Sequence, residues 1–91
     1  DRLMESMESI RACLATLGYK RPDIAEPLMR LAKHTDNPAI LTDVWGAALF
    51  VEVQERQRLL ASVDVATRAD MVLSQLTALL VGEMDSNGTV H

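Results

Sequence analysis

Leu3, Met7, Ile10, Leu14 and Leu17 recur at alternating steps of four and three residues, a spacing that only a helix turns into one continuous apolar face. The stripe predicts a first helix over about Leu3 to Leu17, closed by Gly18 as a left-handed cap and followed by the basic pair Lys20-Arg21. Pro22 stops its continuation, and Asp23 is then the expected cap of a second helix with Ile24, Leu28 and Leu31 on one face. In that frame Pro27 is the fourth helical residue, where a missing N–H costs little, and Glu26 stands four residues before Arg30 in the favourable sense. Asn37-Pro38 opens a third helix: the Asn side chain can accept from first-turn amides, and Pro already has helical φ. Leu41, Val44, Trp45 and Ala48 form its expected inward face, with Thr42 and Asp43 off it and Leu49-Phe50-Val51 as a short buried connection. Glu52 to Ala61 reads as a fourth helix with surface pairs Glu52–Arg56 and Glu55–Arg58. Asp64 caps the longest pattern, Val65, Ala69, Val72, Leu76 and Leu79, with Arg68 four residues after the cap and Gly82 as the stop.

No four-residue stretch alternates apolar and polar positions with β-branched or aromatic weight, so no strand is expected. Stripes joined by such short connections can be buried only against one another, which predicts an all-α fold, a compact antiparallel bundle of about five helices. The bundle is assigned to residues 1–82 as a single domain, and 83–91, polar and without periodicity, to a frayed tail. Ninety-one residues leave no room for two domains, and 48 % hydrophobic residues are too many for a disordered chain.

Charge and chemistry narrow the function classes. A formal charge of −4 disfavours tight binding to phosphate backbones, so nucleic acid is not an expected partner. No apolar run approaches the ~20 residues that span a bilayer, and the first nine residues carry acids where a signal peptide wants bases, so neither a membrane nor an export signal is expected. The single cysteine, Cys13, forms no intrachain disulfide, which fits a cytoplasmic location. Because the chain opens at Asp1 and not Met, it is expected to be a piece of something longer. A Cys13–His34 nucleophile pair is formally available, but Cys13 lies beside the first stripe, where a small buried hydrophobe is the plainer assignment, and His34 suits a helix C-terminus. The phosphate-cradling loop is absent, zinc-ligand spacing is absent, and the order Glu83, Asp85, Asn87, Gly88 only imitates the start of a calcium loop. No catalytic residue, metal or cofactor is therefore assigned.

The second half carries an ordered series: Asp36-Asn37-Pro38-Ala39, Leu41 with Asp43, Glu55, Gln57, Leu59-Leu60, Asp64-Val65 with Arg68, and Val72-Leu73 with Leu76. The series resembles the helical part of the N-terminal domain of Lon-type ATP-dependent proteases over about Asp36 to Leu80. There an acidic residue and Pro open one helix, Gln precedes a Leu-rich helix end, and Asp-Val with a following Arg opens the next. The resemblance implies a substrate-recognition and assembly module without catalysis of its own, whose partners would be unfolded or tagged protein clients or other subunits of a protease assembly. The ATPase and peptidase motifs of the full protease do not occur in this sequence, and neither does the β-rich half that precedes these helices in the family. The expected stop at Gly82 is a further departure, since the family's last helix runs on toward the ATPase.

Tyr19, Trp45 and Phe50 are the only aromatic residues, each near an expected helix end, and aromatics of this kind are enriched at protein–protein contacts. With Leu49 they are the protein-binding residues read from sequence, on the condition that they are exposed together; filling the small core is the competing assignment for Trp45 and Phe50. Met4 and Met7 stand under the same alternative of adaptable surface or core filler. A structural domain that self-associates, pairing the stripes of the first and fifth helices between copies into a homo-oligomer, is the alternative function.

Overall fold

In the computed structural model, residues 1–50, 52–61 and 64–88 are described, with the backbone alone for Val53, Glu55, Leu59, Leu60 and residues 83–88. Five helices follow in chain order: α1 (Arg2–Lys20), α2 (Pro22–Leu31), α3 (Pro38–Leu49), α4 (Val53–Ala61) and α5 (Val65–Gly88). There is no strand among the described residues, so the fold is an all-α bundle, as the stripes predict.

The starts of α1, α3 and α5 each have a side-chain cap. The Asp1 carboxylate accepts from the Met4 amide at 3.1 Å, and the Asn37 side-chain oxygen accepts from Ala39 N at 2.9 Å and Ile40 N at 3.3 Å, with Pro38 in the first helical position. Asp64 accepts from the Ala66 amide at 3.2 Å and from the Thr67 hydroxyl at 2.9 Å. Three expected boundaries move. Gly18 does not end α1, because its φ is not positive and the helix continues to Lys20; the stop comes from Pro22, which excludes Arg21 from the α region, at φ −134° and ψ 70°. Arg21, not Asp23, then caps α2: its carbonyl accepts from Ile24 N and Ala25 N at 3.0 Å each, and Pro27 becomes the sixth helical residue. Gly82 likewise lies inside α5, whose backbone stays helical to Gly88, so the expected stop there is absent. Residues 89–91 of the expected tail lie outside the described residues, as does Val51 of the α3–α4 connection.

The core is built chiefly on α1, which packs against both α5 and α2, while α3 closes on α5. Met7, Ile10, Leu14 and Leu17 of α1 meet Ala69, Val72 and Leu76 of α5, Ala25 and Leu28 of α2, and Leu41, Trp45, Leu49 and Phe50 of α3 and its end. The buried face of α3 is rotated from the expected one: Thr42 is buried, donating to the Ala39 carbonyl at 3.1 Å, whereas Ala48 is exposed. On α2 the inward positions are Ala25 and Leu28, and Leu31 faces out.

Candidate functional site

The four residues proposed from sequence for protein binding do not come together on the surface. Trp45 is completely buried, 0 % exposed, and its indole N–H donates to the Leu28 carbonyl at 2.9 Å, tying α3 to α2. Leu49 and Phe50 are buried in the same core. Tyr19 alone is outside, 90 % exposed on the last turn of α1. The correction has a simple cause: Trp45 and Leu49 lie four apart on the face that α3 turns toward α5 and α2, and Phe50 is the buried C-cap of that helix.

What the surface does offer lies between α1 and α2. A hollow of about 350 Å³ is lined by Ala15, Gly18, Tyr19, Glu26 and Met29. Next to it, one of about 160 Å³ is lined by Arg11, Leu14, Met29 and Ala32, and across Met29 another of about 230 Å³ is lined from α2 and the turn after it alone, by Glu26, Met29, Arg30 and Lys33. Met29 belongs to all three. Arg11 in turn joins them to a hollow of about 200 Å³ bounded by Leu3, Met4, Met7 and Pro38, with Glu8 and Asp36 on its rim. The sequence of shared walls makes one shallow valley along the outer side of α1, from Tyr19 past Met29 to Met4. Met4 is 63 % exposed and Met29 39 %, while Met7 is core, so the two methionines of α1 divide between the assignments open to them. A separate open hollow of about 340 Å³ on α5 is lined by Phe50, Thr67, Asp70, Met71, Ser74 and Gln75.

The cations of the described residues divide into two sets. Arg2 and the Ser6 hydroxyl, the latter at 2.8 Å, bind the Asp70 carboxylate and join α1 to α5. The Arg2 guanidinium, with Ser6 second, holds that carboxyl below the usual carboxylate range. Arg21 chelates Asp23 and holds its carboxyl low in the same way, through that hydrogen bond first. Arg56, expected to pair with Glu52, instead donates from Nε at 3.2 Å and Nη2 at 3.0 Å to the Phe50 carbonyl, capping α3 from α4. Arg68, expected to pair with Asp64, reaches Asp43 at 3.4 Å, and its buried Nε has no partner. The other five bind no carboxylate among the described residues: Lys20 and Arg58, which line none of these hollows, and the trio Arg11, Arg30 and Lys33; the expected Glu26–Arg30 pair is not formed. All three are exposed, and all three line the valley.

Cys13 is half-buried against the core, and His34 is exposed on the turn after α2; neither lines any of these hollows. Among the described residues no group of three or more His, Cys, Asp or Glu converges as a metal site. Among the same residues no helix is long and apolar enough to cross a membrane. No protein-family model, curated protein or solved structure matches the chain.

The valley was not found from sequence because its residues belong to two helices whose adjacency no spacing announces. Its one legible sign was Met29, which falls off the Ile24–Leu28 face of α2 without a polar residue to replace it.

Proposed function

We propose that this chain is a non-catalytic protein-binding module that seats a segment of a protein partner in the valley between α1 and α2, acting in the reducing environment of the cytoplasm. The observation that carries the reading is the contiguous run of hollows with exposed Met29, Met4 and Tyr19 on its walls. Methionine adapts to irregular apolar partners, and an exposed tyrosine supplies contact area at small entropic cost. The Lon-type resemblance supports the same role from another side. Asn37 and Asp64 cap helices, Arg68 reaches Asp43, and Leu41, Val72 and Leu76 are core. The residues that carry the resemblance thus build a scaffold and leave recognition to other positions, as expected of a helical subdomain that presents clients to machinery elsewhere. The uninterrupted backbone of α5 through Gly82 removes one departure from that family's pattern.

The test is the binding of a permanently unfolded client, reduced and carboxymethylated, by fluorescence anisotropy. Met29→Ser combined with Tyr19→Ala should weaken binding at least about fivefold, while the melting temperature stays within a few degrees of the parent because both side chains are largely outside the core. Unchanged binding in the folded double variant would remove the valley as the site.

A further inference from the structure

Resting on the protein-binding reading, we infer that the segment the valley takes is an apolar stretch flanked by acidic residues. The floor of its three connected hollows is apolar, from Leu14, Ala15, Met29 and Ala32. The charged walls around Met29 are Arg11, Arg30 and Lys33 against the single carboxylate of Glu26, an excess of positive charge confined to this stretch, because Glu8 and Asp36 balance it in the fourth hollow. These three cations, like Lys20 and Arg58 elsewhere on the surface, lack the intramolecular carboxylates or carbonyls that occupy Arg2, Arg21, Arg56 and Arg68, and they alone of the five stand around an apolar floor. Cations that hold the fold together are spent, whereas those around Met29 face water and are available to an incoming acid. An apolar anchor over Met29 would exclude water from the rim and strengthen each ion pair formed there.

The charge pattern also sets a position. Past Arg11 the valley walls carry Glu8 and Asp36, so the favourable place for the acidic flank is beside Met29, where Arg30 and Lys33 line the neighbouring hollow. A nucleic-acid strand fits less well, because the floor offers aliphatic side chains with Tyr19 as the sole aromatic, and single-stranded sites rely on successive aromatic platforms.

Three labelled peptides sharing one Leu-Phe-Leu core, flanked by Asp and Glu, by Ser, or by Lys, are titrated against the whole 91-residue chain at about 50 mM and 300 mM salt. The acid-flanked peptide should bind about tenfold tighter than the Lys-flanked one at low salt, with the gap narrowing at high salt as screening shortens. In Arg30→Glu with Lys33→Glu the order should invert, and Arg11→Glu alone should reduce the gap; a melting scan of each variant certifies that it is folded. Equal binding of all three peptides, or an order that survives charge reversal, overturns the acidic preference and leaves the protein-binding reading standing. No binding by any peptide, together with no binding of the unfolded client, removes that reading itself. Two further results overturn the inference: displacement of the acidic peptide by a single-stranded oligonucleotide of equal charge, which would make the valley a polyanion site, or sedimentation showing that a second copy occupies the valley and excludes the peptide.

Discussion

Between α1 and α5 the apolar residues are consumed by the core and the polar ones by each other, whereas between α1 and α2 the apolar groups remain at the surface and the cations stay unpaired. The difference follows from length and from the number of buried positions. α5 runs beside α1 as a helix of 24 residues and supplies Ala69, Val72 and Leu76 to the seam, with Asp70 gathering Arg2 and Ser6 at its edge. α2 has 10 residues against 19 in α1, and its fully buried positions are Ala25 and Leu28, with Ile24 and, past its end, Ala32 half-buried beside them, too few to cover the outer side of its longer neighbour. One helix therefore carries a completed interface and an incomplete one. The two aromatic residues at issue mark the extremes, Trp45 sealed inside and Tyr19 in water.

Replacing those two should separate the regions most clearly. Trp45→Ala removes the largest fully buried side chain and takes the indole donor from the Leu28 carbonyl, which keeps only the Ala32 amide at 3.4 Å, at a cost of about 3 to 5 kcal/mol, and the thermal midpoint should fall by more than about 10 °C. Tyr19→Ala should move the same midpoint by no more than a few degrees. A mild loss on Trp45→Ala would mean that α3 does not depend on α2 and would dissolve the contrast.

A smaller effect of opposite sign is expected at Gly18. Its φ is helical, and an added methyl group would lie 3.9 Å from the Ala25 Cβ, ordinary contact. Gly18→Ala should therefore stabilise the chain by about 0.5 to 1 kcal/mol through helix propensity and a less flexible unfolded state, read as a higher urea midpoint with unchanged slope. A loss of stability would show that α1 and α2 are closer than ordinary contact.

The smallest effect belongs to the edge of the α1–α5 seam. Asp70 is held below its ordinary value by Arg2 and then Ser6, so its contribution is present above the unfolded carboxylate value of 3.8 and is lost as pH falls through the lower folded value. Asp70→Asn should be slightly less stable than the parent at pH 7, with the two denaturation curves converging by about pH 2. A constant gap across that range would mean that Asp70 acts by packing and not by charge.

Much of this architecture is legible along the chain because its cues are local. The spacing of Ile10, Leu14 and Leu17 states a face, and Asn37-Pro38 and Asp64 state where helices begin. The misplaced boundaries share one physical reason. Glycine ends a helix only where the chain needs a positive φ, and neither Gly18 nor Gly82 does; Pro22 ends α1 because its ring keeps Arg21 out of the α region. The aromatic positions are ambiguous for a different reason. Trp45 lies both on the α3 stripe and near a helix end, so its spacing allows core or surface, and the packing of α3 places it in the core. Ion pairs were the least readable: Arg56 and Arg68 were assigned partners one turn away, yet the fold offers a bare carbonyl at the end of α3 and the Asp43 carboxylate across the bundle.

The indole of Trp45 is the sole fluorophore of its kind in the chain, and it is anchored to the backbone of the residue immediately before Met29. Any segment that settles over Met29 and shifts α2 by a fraction of an ångström alters the polarity around that ring. Occupation of the valley should consequently be visible as a change in intrinsic emission, with no label attached to either molecule.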